Sequence, residues 1–198
     1  MAAVVTALVA LGAALALERA SPRMRSSAET LILAPLLFPH AALGIAFLSC
    51  LVTLKLNGSM LGVFICHAVL CAPFAYRPIA VSLHQIDRSI PEAAMILGAS
   101  SRQAITTVLI PMLRPGLSAA LMFSFIISFD EVTVTMFLVG PEFTTLPVKI
   151  YSHLADSADP VVAAISTILI VMTSGIILIL DRLVGLGIFV DIEEDVRG

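Results

Sequence analysis

Long apolar stretches alternate with short charged intervals along this chain, at a spacing that suits a lipid bilayer better than a soluble core. Uncharged runs cover Met1–Leu17, Leu31–Leu54, Leu56–Tyr76, Pro115–Phe129 (continuing past two acids to Pro141) and Val161–Leu180. A span takes about 20 mostly apolar residues, so about five transmembrane helices are predicted. Pro35 and Pro39 fall inside the second run and are expected to kink it or shift its start. The longest polar interval separates the third and fourth runs. Within it, Ser89-Ile90-Pro91-Glu92 has the form of a capping box, with Ser89 as N-cap and Glu92 reaching back to it. Pro91 is tolerated in a first turn, and Gly98 supplies the stop. Ser100-Ser101-Arg102-Gln103 offers a second capping box, whose helix is predicted to end near Ile110, just before Pro111. The interval therefore reads as a helix–turn–helix hook between two spans.

Composition places the hook. Hydrophobic residues are 59% of the chain and charged residues 13%, against about a quarter charged in a soluble domain. This is the composition of an integral membrane protein. No linker and no internal repeat interrupts it, so one membrane domain over 1–187 is expected, followed by a short acidic tail at 188–198. If the loops at 18–30, 77–114 and 181–198 are cytoplasmic, they hold Arg19, Arg23, Arg25, Arg77, Arg88, Arg102, Arg114, Arg182 and Arg197, leaving only Lys55 and Lys149 outside. Basic residues favour the cytoplasmic side, which puts the hook there.

Glu92-Ala93-Ala94, Gly98, Val108, Ile110 and Pro111 stand in the register of the EAA loop, and the chain resembles the permeases of ABC importers through them. Val108 and Ile110 replace a usual Ile and Leu and keep the apolar character. The resemblance implies an all-α, polytopic helical bundle of the type I importer kind, with the loop at 88–111 docking on a cytoplasmic ATPase. An amphipathic surface helix with good caps would show the same capping pattern without any partner. Phe125–Glu131, Phe137–Pro141, Thr144–Ser152 and the segment from Asp159-Pro160 to Thr167 are similar to the spermidine/putrescine branch of that family. So are Ala34-Pro35, Pro39 and Ala72-Pro73-Phe74. The branch also carries opines, amino acid derivatives and aminophosphonates. Its permeases usually have six helices and this chain matches from the second, so the resemblance implies a missing first helix. Met1–Leu17 lacks the positive n-region of a signal peptide.

Neither lysine follows the phosphate-cradling Gly-x-x-x-x-Gly-Lys-[Ser/Thr] pattern. No cofactor is therefore expected on this chain, and ATP and Mg fall to a partner ATPase. The resemblance implies further partners: a second permease, a periplasmic solute-binding protein and a small-molecule substrate, in a bacterial inner membrane.

Asp130 and Glu131 are the acids inside a span, where an ionisable group is costly unless it faces protein or water. Adjacent helical residues point about 100° apart, so one is left for a pathway and the other for a neighbouring helix. An acid meeting a cationic substrate and a gate or interhelical bond are both open readings. Glu142, Asp156 and Asp159 make the outer loop mildly acidic. His40 and His67 are expected to be structural. Cys50, Cys66 and Cys71 are expected to pack, without the paired spacing of a metal site. Gly116, Ser118, Ala119 and Ala120, and Ala41-Ala42 with Gly44, form small-residue patches suited to close helix contact. A membrane-embedded enzyme using Asp130, Glu131 and His67 as acid–base groups, or a non-transporting remnant, are the competing classes.

Overall fold

The structure, a computed structural model, describes residues 1–141, 143–156 and 160–184. Glu142, Asp159, Arg197 and the tail at 188–198 lie outside them, as does the side chain of Asp156. The described chain is a helical bundle. Its elements are α1 (Ala2–Glu18), α2 (Pro22–Leu33), α3 (His40–Thr53), α4 (Met60–Gln85), α5 (Ser89–Ile96), α6 (Ser101–Met112), α7 (Arg114–Asp130), α8 (Thr135–Leu138), α9 (Leu146–Asp156) and α10 (Pro160–Val184).

The heart of the bundle is α1, α4 and α7, each packed on the other two. Helix α1 enters through a small-residue stripe, Ala3, Ala7, Ala10 and Ala14, all buried. That i, i+4, i+7 spacing lets backbones approach closely where lipid supplies no hydrophobic drive between helices. Ala7, Ala10 and Ala14 meet Ala75, Ile79, Leu113 and Ala120 in one apolar cluster. A second cluster, with Leu51, Val63, Leu70, Val134 and Leu138, joins α3, α4 and α8. Gly116 is required where α7 crosses α4: a Cβ there would lie 2.5 Å from Ser82 Oγ and 2.8 Å from the Pro78 carbonyl.

Three sequence expectations change. The second apolar run is not one kinked span. A 3-10 turn at Ala34–Leu37 ends the first part, and the helices on either side are bent by 110°. Phe38 is extended, at φ −109° and ψ 142°, because a residue before proline is pushed out of the helical region. The fourth run does not continue as helix to Pro141 either. It ends at Asp130, and Glu131 leaves helical geometry at ψ 105° before the short α8. The third span begins at Met60 and continues to Gln85, so Arg77 lies within α4 and not in a loop. Among the described residues, α4 alone is long and apolar enough by itself to cross a membrane, and up to three segments qualify if each bent pair is one span.

Candidate functional site

The hook is present, with one cap relocated. The Ser89 N–H donates to Asp87 Oδ1 at 2.9 Å, and the Ile90 N–H donates to the Asp87 carbonyl at 3.1 Å. Asp87 thus accepts the first two N–H groups of α5, whose N-cap is Arg88, and the expected Ser89–Glu92 capping box does not form. The helix starts earlier than predicted, so the Glu92 N–H that Ser89 would have capped already donates to the Arg88 carbonyl at 3.4 Å. Accepting the Ser89 N–H holds the Asp87 carboxyl below the ordinary carboxylate range.

Gly98 ends α5 at φ +96°. The Ala99 N–H donates to the Ala94 carbonyl and the Gly98 N–H to the Met95 carbonyl, both at 3.0 Å. This is a Schellman termination, which needs the left-handed residue that glycine supplies without penalty. The second capping box forms as expected: the Gln103 N–H donates to Ser100 Oγ at 3.3 Å, and the Ser100 N–H to Gln103 Oε1 at 2.8 Å. Helix α6 does not stop before Pro111. Over Ala104–Leu109 it widens into a π-helical register and carries through Pro111 to Met112. A wider turn relieves the clash between a proline ring and the preceding turn's carbonyl. Leu113, fully buried, then joins α6 to α7 at a bend of 65°.

All the residues of the EAA register thus lie on one hook: Glu92, Ala93 and Ala94 on α5, Gly98 in its turn, and Val108, Ile110 and Pro111 on α6. Glu92 is exposed, and its side chain makes no hydrogen bond or ion pair among the described residues. It lines a groove of about 520 Å³ between the hook and the ends of α1 and α4, walled by Leu15, Leu83, Ile86, Met95 and Leu109. The tip is apolar and bare, with Ile96 86% and Leu97 88% exposed.

The two acids have different surroundings, Asp130 being the last residue of α7 and Glu131 lying beyond it in extended geometry. Asp130 is exposed and opens into a groove of about 470 Å³ between α7, α9 and α10, with Tyr151, Ser166, Thr173 and Ser174 among its walls. Glu131 is buried. Its Oε1 accepts the Val134 N–H at 2.8 Å, starting α8, and its Oε2 lies 3.2 Å from His40 Nδ1 on α3. Thr135 Oγ1 donates to the Glu131 carbonyl at 2.7 Å. Its one proton is thereby used, so the nearby His67 Nε2, at 2.9 Å, must be the donor to Thr135 Oγ1. A neutral His67 ring then accepts at Nδ1 from Ser128 Oγ, also at 2.9 Å. Both histidines are structural in this arrangement, as the sequence suggests. Their partners are not deducible from it, because they lie 61 to 68 residues away for His67. Among the described residues no His, Cys, Asp or Glu cluster could hold a metal ion.

Residues 8–186 match the family described as the binding-protein-dependent transport system inner membrane component. The chain belongs to this family. It is accordingly a membrane protein. It is 30% identical over 146 residues to the putrescine transport system permease protein PotI of Escherichia coli K12, covering 71% of this chain and 52% of that protein. It is 29% identical over 160 residues to the spermidine/putrescine transport system permease protein PotC of the same strain, covering 81% and 61%. A putative ferric transport system permease-like protein, AfuB, also of that strain, is 39% identical over 101 residues, covering 51% of this chain and 84% of that protein. The chain thus spans between about half and two thirds of the length of the two polyamine-transport relatives.

Proposed function

We propose that this chain is a multi-pass permease subunit of an ATP-driven importer in a bacterial cytoplasmic membrane, and that its solute is a polyamine such as putrescine or spermidine. The observation that carries the reading is the hook: a rigidly terminated helix pair with a bare apolar tip, on a chain of the binding-protein-dependent family. The tip is the surface an ATPase subunit would cover, and that subunit would bind ATP and Mg. A second permease and an extracytoplasmic solute-binding protein complete the assembly. Movement of the ATPases would push the hook and tilt the attached helices around a central site, the rocking common to alternating-access transporters.

The names of two relatives support a polyamine, and the free carboxylate of Asp130 suits a cation. A second reading, the same importer class with another solute, rests on the relative named for ferric transport.

Gly98→Val tests the hook. A Cβ at Gly98 meets nothing within 4 Å, so the substitution acts through its positive φ alone, a region that β-branched residues avoid. In proteoliposomes holding the assembled transporter, the variant is expected to insert normally and lose ATP-driven putrescine uptake while ATP hydrolysis persists. Uptake at the wild-type level would sink the coupling role. Saturable, ATP-driven uptake of some other solute and none of putrescine or spermidine would sink the polyamine.

A further inference from the structure

The hook meets the bundle across a gap. A groove lined by residues of α5, α6 and the ends of α1 and α4 lies between them. Charge bridges it. Arg88, immediately before α5, bonds through Nη2 to Glu18 Oε1 at the last residue of α1. The other oxygen of Glu18 lies 3.6 Å from Arg25 Nη1 on α2. Arg25 Nε donates to Glu29 at 3.0 Å, and Glu29 accepts the hydroxyl of Tyr76 at 2.9 Å. Tyr76 is buried in α4, in the cluster that α1 enters through its alanines.

We infer that Glu18 and Arg88 are positioning residues for transport, forming a strut that makes the base of the hook and α1 move as one body. The inference rests on the importer reading. One exposed ion pair is weak and screened by water, and Arg88 is 75% exposed. Here Glu18 is engaged at both oxygens and only 23% exposed, and its second partner, Arg25, is held by Glu29, which in turn accepts from a buried tyrosine. Such a relay contributes little to stability. Its effect is to set where a push on the hook arrives, the alanine stripe of α1 carrying it into α4 and α7.

The test measures uptake and ATP hydrolysis together in proteoliposomes of the assembled transporter. E18Q and R88Q are each expected to lower solute moved per ATP by about three- to tenfold, with E18Q/R88Q no worse than the poorer single variant, as for two ends of one interaction. An unchanged ratio, or losses that multiply, would overturn the strut. A second experiment joins E18C/R88C with a short bifunctional thiol reagent, the single variants controlling for Cys50, Cys66 and Cys71. A strut predicts efficient linkage in membranes and retained uptake. Failure to link, or a linked protein that hydrolyses ATP without uptake, would overturn it. A wild-type assembly with no ATP-driven uptake overturns the importer reading itself, whereas linkage in membranes without ATP still decides whether the two residues are joined.

Discussion

Glu131 makes most of its contacts at a break in the structure. Its side chain is 6% exposed, yet it accepts the N–H of Val134, the N-cap of α8, and reaches His40 on another helix. Glu131→Ala removes that acceptor and leaves a buried N–H unpaired, which costs about 1–3 kcal/mol. Glu131→Gln keeps an oxygen for the Val134 N–H and is expected to recover much of the loss. Thermal unfolding in detergent checks both; an unchanged midpoint for the alanine variant would show that the carboxylate is not structural. The sequence singles out the acid because charge is costly in a span. It does not choose between Asp130 and Glu131, because the choice depends on where α3, α9 and α10 stand around the end of α7.

At the scale of elements, boundaries follow from chemistry within a few residues of each other. The break at Phe38-Pro39, the Gly98 termination and the Ser100–Gln103 box are legible in the sequence for that reason. Asp87 shows the limit of such reading: with its carboxylate accepting the Ser89 N–H, the helix starts ahead of the predicted cap, and the Glu92 N–H goes to the Arg88 carbonyl. Contacts between elements need coordinates. Gly116 reads in the sequence as one member of a small-residue patch, but only the α4–α7 crossing shows that it has no room for a Cβ. Gly116→Leu must push apart Ser82 and a backbone carbonyl, and overpacking of this kind costs about 1–3 kcal/mol. A lower unfolding temperature and reduced membrane accumulation are expected. Adding Ser82→Gly is expected to restore only part of the loss, since the Pro78 carbonyl remains. Normal stability of the single variant would mean that the crossing is looser than described.

For the whole molecule the relevant question is what the inner and outer ends do to each other. The hook and the strut lie at one end, and Asp130 opens into a groove toward the other. If Asp130 meets a cationic solute, Asp130→Asn weakens uptake of a diamine more than that of a neutral solute by the same assembly. A loss of roughly tenfold in apparent affinity is expected for one lost charge-assisted contact. Equal losses for both solutes would assign Asp130 to gating instead. Because Asp130 is exposed and without a partner among the described residues, its substitution is expected to leave stability unchanged. That contrast with Glu131 separates transport effects from folding effects.

The sequence by itself determined the class of this protein: a helical membrane chain with a polar hook, whose turn and second cap are local in origin. Those features depend on composition, on helix propensity and on residues three or four apart, and such information is contiguous along the chain. The tertiary structure decided the rest. It ended the fourth span at Asp130, sent Glu131 inward and Asp130 outward, and joined Glu18 to Arg88 across 70 residues. Those outcomes depend on how helices distant in sequence are placed side by side, and no spacing within any one segment encodes that placement.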